Sequence, residues 1–150
     1  MRRLFITGVV LLAALYLLAR LVPVEPVDRR PGLGLVGPVA DAGTTDWSFL
    51  QGLTEIEVET QTSIGIPHSV TTVLWRDGDE LYIPCKACDT KRWPKNVAAD
   101  PAVRIRVRGV VYPMQMERIT DQAERDQLLG TSFPEVTPDV AVFRVSPRPV

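Results

Sequence analysis

The run from Lys91 to Arg108, Lys-Arg-Trp-Pro-Lys-Asn-Val-Ala-Ala-Asp-Pro-Ala-Val-Arg-Ile-Arg-Val-Arg, restricts this chain more than any other stretch. Its first part reads as a short basic helix, N-capped by Asp89 or Thr90 and continuing through Ala99. Pro94 falls in the first turn or so, where a missing N–H costs little, and Pro101 ends the helix. Val103 to Arg108 then alternates strictly between apolar and charged residues, the period of a strand with one buried face. A short helix running straight into such a strand leaves few folds open.

Strand signals continue on both sides. Glu55 to Thr60 alternates with a period of two, and its three glutamates read as a solvated face, not a catalytic cluster. Ser69 to Trp75 is largely β-branched, Arg76-Asp77-Gly78-Asp79 supplies a turn, and Glu80 to Ile83 starts a return strand, which together predict a hairpin. The pattern breaks at Pro84 to Asp89. Val110 to Arg118 is a further strand, with Gly109 as turn or bulge. Asp121 to Leu129 is predicted as a helix ending at Gly130, and Val140 to Val145 as a last strand. The expected order is β, β, β, short α, β, β, α, β, mainly β with two short helices.

With 150 residues, 45% hydrophobic and 23% charged, the chain can build one compact domain plus an appendage. A net charge of −1 lacks the basic footprint of a sequence-independent nucleic-acid binder, so nucleic acid is excluded as an expected partner. The appendage is N-terminal: Leu4 to Ala19 is uncharged and apolar, and Leu21-Val22 extend it past Arg20. About 19 residues at 1.5 Å each match a bilayer core of roughly 30 Å, with Arg20 snorkelling to the interface. No Ala-x-Ala pattern follows, which favours an uncleaved signal anchor over residues 1–22. The positive-inside count is nearly tied, but a short N-terminal tail stays inside, so the domain is expected outside the cytoplasmic membrane, in the periplasm. Residues 23–45, rich in Pro and Gly, read as a tether, and residues 46–150 as the folded domain, opening with a short helix or loop capped by Asp46.

The order of elements, together with Trp93, Asn96, Val97, Ala99, Asp100 and Pro101, resembles the split β-barrel flavoproteins, and within them the deazaflavin-dependent nitroreductases, where Trp-x-x-Asn-Leu-x-Ala-Asn-Pro recurs. Pyridoxamine-phosphate oxidases and other FMN proteins are more distantly similar. The likeness extends over roughly Glu55 to Pro149. It implies a split barrel of about six antiparallel strands, often dimeric, holding FMN or the deazaflavin F420. It further implies that Ser69, Thr71 and Thr72 border the ring while Lys86, Thr90, Lys91 and Arg92 hold the phosphate. Chemically, a hydroxyl, an ammonium, a guanidinium and a helix N-terminus suit an anion. On charge alone, Lys91, Arg92 and Lys95 equally describe a solvated helix face.

Cys85 and Cys88 are the only cysteines, spaced C-x-x-C. Haem attachment would need His where Asp89 stands, and thioredoxin-like chemistry lacks its βαβ context, so a structural disulfide or metal clip ranks first. Two thiolates make half a zinc site, and the sole histidine, His68, has no sequence signal placing it nearby. His68 is a candidate proton donor or a surface-turn residue. Met114 and Met116 are assigned to core packing, and Trp47, Trp75 and Trp93 to core or pocket walls. The leading expectation is a membrane-anchored flavin- or deazaflavin-dependent oxidoreductase reducing a small molecule or quinone. The alternative is a non-catalytic periplasmic module of the same fold that has lost its cofactor and is stapled by Cys85 and Cys88.

Overall fold

The computed structural model describes residues 2–28, 30–132 and 139–148. A helix, α1 (Arg2–Leu21), is followed by irregular chain. Six strands come next, β1 (Thr54–Gln61), β2 (Pro67–Asp77), β3 (Glu80–Lys86), β4 (Ala102–Val107), β5 (Val110–Arg118) and β6 (Val140–Pro147), with α2 (Arg92–Ala99) before β4 and α3 (Gln122–Ser132) before β6. The strands close an antiparallel barrel in the order β1-β2-β3-β6-β5-β4. The expected fold class and element order are those observed.

Alternation decides which side chains fill the barrel. Ile56 and Val58 of β1, and Val103, Ile105 and Val107 of β4, are buried with Met114, Met116 and Phe143 in one apolar core. Trp93 of α2 closes one end of this core, its ring 4.9 Å from that of Phe143. Outside the barrel, Trp75 and Tyr82, opposite each other across β2 and β3, stack at 5.3 Å and are covered by Leu128 and Leu129 of α3. The β4–β5 turn holds both Arg108 and Gly109 at positive φ, 51° and 82°, the backbone that matches the twist of flanking strands. Trp47 leans on Tyr112 at 4.8 Å, and the turn Trp47–Phe49 is capped by the Asp46 carboxylate as expected.

Three boundaries differ from the sequence expectation. β3 continues through Pro84 and Cys85 to Lys86; from Ile83 on it pairs only with β6, an edge position where proline is tolerated. α2 is N-capped by Lys91, since Cys88–Thr90 forms a separate 3-10 turn. α3 runs through Gly130 to Ser132 instead of stopping at the glycine.

The closed ring is incompletely sewn. β2 pairs with β3 only from Trp75 to Asp77, and β5 pairs with β6 only from Met114 onward. The Pro/Gly-rich segment that composition marks as a tether is largely irregular and lies on the barrel along both open edges. Gly32 and Ser69 exchange backbone hydrogen bonds of 2.9 and 3.1 Å on β2, while Ala40 and Val111 bond to Val111 and Pro38 at 3.0 and 2.8 Å on β5. Exposed strand edges invite unwanted pairing, and this strap covers them.

Glu57 and Glu59 are not a solvated face. They stand directly opposite Arg106 and Arg104 of β4. Arg106 donates to both Glu57 oxygens at 3.2 and 2.9 Å, and also to Glu25 and to the Val36 carbonyl of the strap. Glu59, 4% exposed, accepts from Arg104 at 2.9 Å and from the strap's Leu35 N–H at 2.6 Å. The hydrogen bond and charge of Arg106 hold the Glu25 carboxyl below its ordinary range.

Candidate functional site

Where β2 has no β3 partner, a cleft of about 840 Å³ opens between β2, the start of α2 and the strap. The barrel side contributes His68, Val70, Thr71 and Thr72, α2 contributes Lys91, Arg92 and Trp93, and the strap contributes Val24, Asp28, Arg30 and Leu33. The strap keeps its course through a tight self-approach: Leu33 N–H donates to the Val24 carbonyl at 2.6 Å, and a Cβ on Gly32 would sit 2.2 Å from that same oxygen. Only glycine fits there.

Three cations, Arg30, Lys91 and Arg92, face a single carboxylate, Asp28, so the cleft favours anions. Neither Lys91 nor Arg92 has an ion-pair partner among the described residues. The N-cap Lys91 offers no side-chain acceptor to α2, so the N–H groups of Arg92 and Trp93 in the first turn are uncapped. Pro94 removes one further donor at no cost to the helix. His68 is half-buried, and burial first, then the Arg92 charge, push its imidazole below its ordinary range. It is therefore neutral near pH 7, with one ring nitrogen able to donate and the other to accept.

Asn96 sets the geometry of this edge. Its Nδ2 donates to Thr60 Oγ1 at 2.9 Å, and that hydroxyl donates to the His68 carbonyl at 3.1 Å, tying α2 to the start of β2. The Trp-x-x-Asn spacing contained the signal for Asn96. Arg30 had none, lying in a segment whose composition reads as solvent-exposed linker.

Of the residues anticipated from sequence, His68, Thr71, Thr72, Lys91 and Arg92 meet in the cleft. Ser69 does not line it: it is fully buried beneath the strap, and its Oγ finds no partner among the described residues. Thr90 faces a different depression, shared with Arg118 and Arg125, and its hydroxyl donates to the Ala87 carbonyl at 2.7 Å. Lys86, at the exposed end of β3, lines neither. Cys85 and Cys88 are disulfide-bonded, with Cα atoms 5.3 Å apart and Ala87 between them at φ 49°. Met114 and Met116 are buried in the same apolar core as Cys85 and Cys88, where they pack as core residues. Among the described residues no three His, Cys, Asp or Glu side chains gather as a metal-binding group.

No protein-family model matches the chain, and no curated protein does. Solved structures do. General stress protein 26 of Bacillus anthracis superposes with a TM-score of 0.50 at 15% identity, over 67% of this chain and 84% of its own. The haem storage protein HutZ of Vibrio cholerae gives 0.50 at 12% identity, over 65% and 83%. An FAD-binding protein of Mesorhizobium loti gives 0.46 at 15% identity, over 64% and 80%. The first two likenesses show that this chain shares its barrel fold with those proteins.

Proposed function

We propose that the chain is a membrane-anchored oxidoreductase that binds FMN or the deazaflavin F420 in the cleft between β2, α2 and the strap. The observation that carries this reading is the convergence of Lys91, Arg92 and the uncapped first turn of α2 beside Thr71, Thr72 and a neutral imidazole. Those donors suit a phosphate, and Val70, Leu33 and Trp93 supply the apolar wall that a ring system needs. A bound flavin or deazaflavin supplies two-electron chemistry, and the protein supplies binding and orientation. Lys91 and Arg92 would hold the anion, the two threonines would offer hydroxyls to ring heteroatoms, and His68 can hold or release a proton in the cleft. A small organic acceptor or a quinone is the proposed substrate. In this reading α1, which is long and apolar enough to cross a bilayer, anchors the barrel on the outer side of the cytoplasmic membrane.

Titration of the purified full chain with FMN and with F420, read by visible absorption and fluorescence, tests the assignment. Near-stoichiometric binding of either names the cofactor. Absence of binding to both favours a second reading, a cofactor-free binding module. That reading has its own observation in favour: the Cys85–Cys88 disulfide fixes the turn before α2 and leaves Thr90 and Lys86 outside the cleft.

A further inference from the structure

The β1–β2 connection is a compact turn whose tip is apolar. Thr62 and Ile66 are cross-bonded through backbone and hydroxyl at 2.9 to 3.0 Å, and Gly65 N–H donates to the Thr62 carbonyl at 2.8 Å. Ile64 projects from it, 62% exposed. A rigid turn that presents isoleucine instead of the usual polar residues at its tip asks for an apolar neighbour.

That turn is fastened to α1 well inside the apolar helix. Tyr16 Oη donates to the Ile64 carbonyl at 2.8 Å, and Arg20 Nη1 donates to Tyr16 Oη at 3.0 Å. Gly65, at φ 73°, takes a left-handed backbone that favours glycine and packs close to the Arg20 guanidinium. Tyr16 precedes the helix end at Leu21 by five residues, about 7.5 Å at 1.5 Å per residue. Tyrosine and arginine are the side chains that occupy the boundary between lipid and water. A loop bonded to Tyr16 therefore lies at that boundary whenever α1 spans the bilayer, and the chain just past the helix end exposes Val22 and Val24 as well.

We infer that the turn from Thr62 to Ile66 is a membrane foot: Ile64 inserts into the lipid interface and gives the barrel a second attachment to the bilayer. This rests on α1 being a membrane span, as proposed above. His68 follows Ile64 by four residues, at most about 13 Å of chain at roughly 3.3 Å per residue, so the foot would hold the His68 end of the cleft close to the headgroups. The occupant of the tip is lipid, not a second protein chain, because the fastening residues themselves belong to the apolar helix.

The test uses the full chain in lipid nanodiscs. Alkaline carbonate extraction comes first: release from membranes would remove the anchor and the foot together. With the chain retained, an Ile64→Trp variant should emit at shorter wavelength than in solution and lose most of its added emission to lipids brominated near the headgroup. Added emission that brominated lipid leaves unchanged would overturn the foot while leaving the anchor standing. A headgroup-attached paramagnetic lipid provides a check on the unsubstituted protein: Ile64 methyl signals should broaden strongly and those of Leu53, exposed at the opposite end of β1, should not. Equal broadening of the two would refute the inference.

Discussion

The Glu59 carboxylate is 4% exposed and accepts one hydrogen bond from Arg104 and one from the Leu35 N–H, yet these two bonds differ in worth. Arg104 keeps 37% of its side chain in solvent, so Arg104→Lys, which keeps a charge beside the buried carboxylate and gives up only the guanidinium geometry, costs at most about 1 kcal/mol. Leu35 is itself 4% exposed, so Glu59→Ala leaves a buried N–H without an acceptor, a cost of about 2 kcal/mol within the usual 1–3. At about 1.4 kcal/mol per tenfold, strap opening should become roughly 30-fold more frequent. Amide hydrogen exchange reads this directly: protection at Leu35 should fall about 30-fold in Glu59→Ala and less than about fivefold in Arg104→Lys, with the barrel amides of β4 and β5 unchanged. Glu59→Gln, which keeps an oxygen for Leu35, should fall between. An Arg104→Lys loss equal to that of Glu59→Ala, or faster exchange spread across β1 and β4, would refute the claim that Glu59 holds the strap and not the barrel.

The cleft separates cations that look alike in sequence. Lys91→Ala and Arg92→Ala should each weaken FMN or F420 binding by about 10- to 100-fold, at roughly 1.5–3 kcal/mol per charge-assisted hydrogen bond, whereas Thr90→Ala and Lys86→Ala should change it little in the same titration. For His68, burial and Arg92 lower the folded-state value. The unfolded chain therefore takes up the proton first as pH falls through about 6.5, and stability is lost below that pH until the folded imidazole also protonates. Urea midpoints should follow this course in the parent and flatten in His68→Phe. Arg92→Ala should raise the imidazole's NMR titration only part of the way back, because burial is the larger cause. Converting Cys85 and Cys88 together to alanine should cost about 2 kcal/mol, the chain-entropy value for a loop of about four residues, measurable as a lowered unfolding midpoint that added reductant does not lower further.

How far the sequence could be read depended on whether a residue's partners were local. The β2–β3 hairpin, the Val-Arg alternation of β4 and the Asp46 cap follow from neighbours within a few positions, and each appears as expected. So does the basic start of α2, because Lys91 and Arg92 lie at the end of a helix whose orientation Trp93 fixes by burial. Glu57 and Glu59 misled because period-two alternation reports which face a side chain takes, not what else covers that face, and their partners lie 49 and 45 positions away. The same long-range covering accounts for Arg30 in the cleft and Ser69 under the strap. Thr90 and Lys86 failed to join Lys91 for a different reason: the disulfide imposes a left-handed residue at Ala87, which turns the chain between them.

The strap also explains why a Pro/Gly-rich sequence suits this place. An edge filler must bond to β2 and β5 while following a barrel's curvature, and regular strand would replace the cleft with continued sheet. Irregular chain supplies single bridges, at Gly32–Ser69 and Val39–Val111, and leaves the space between them free. One wall of the proposed cofactor site is therefore held by the ladder of Glu57, Glu59, Arg104 and Arg106, none of which lines the cleft. Apparent affinity scales with the fraction of molecules whose strap is closed. If the closed strap is favoured by several kcal/mol, Glu59→Ala leaves that fraction near one and the affinity intact. Glu59→Ala combined with Arg106→Ala removes the bonds to Leu35, Glu25 and Val36 together and should weaken FMN or F420 binding in the same titration although neither residue touches the cleft. Unchanged affinity in the double variant, with strap protection lost by hydrogen exchange, would show that the ligand does not need the strap wall.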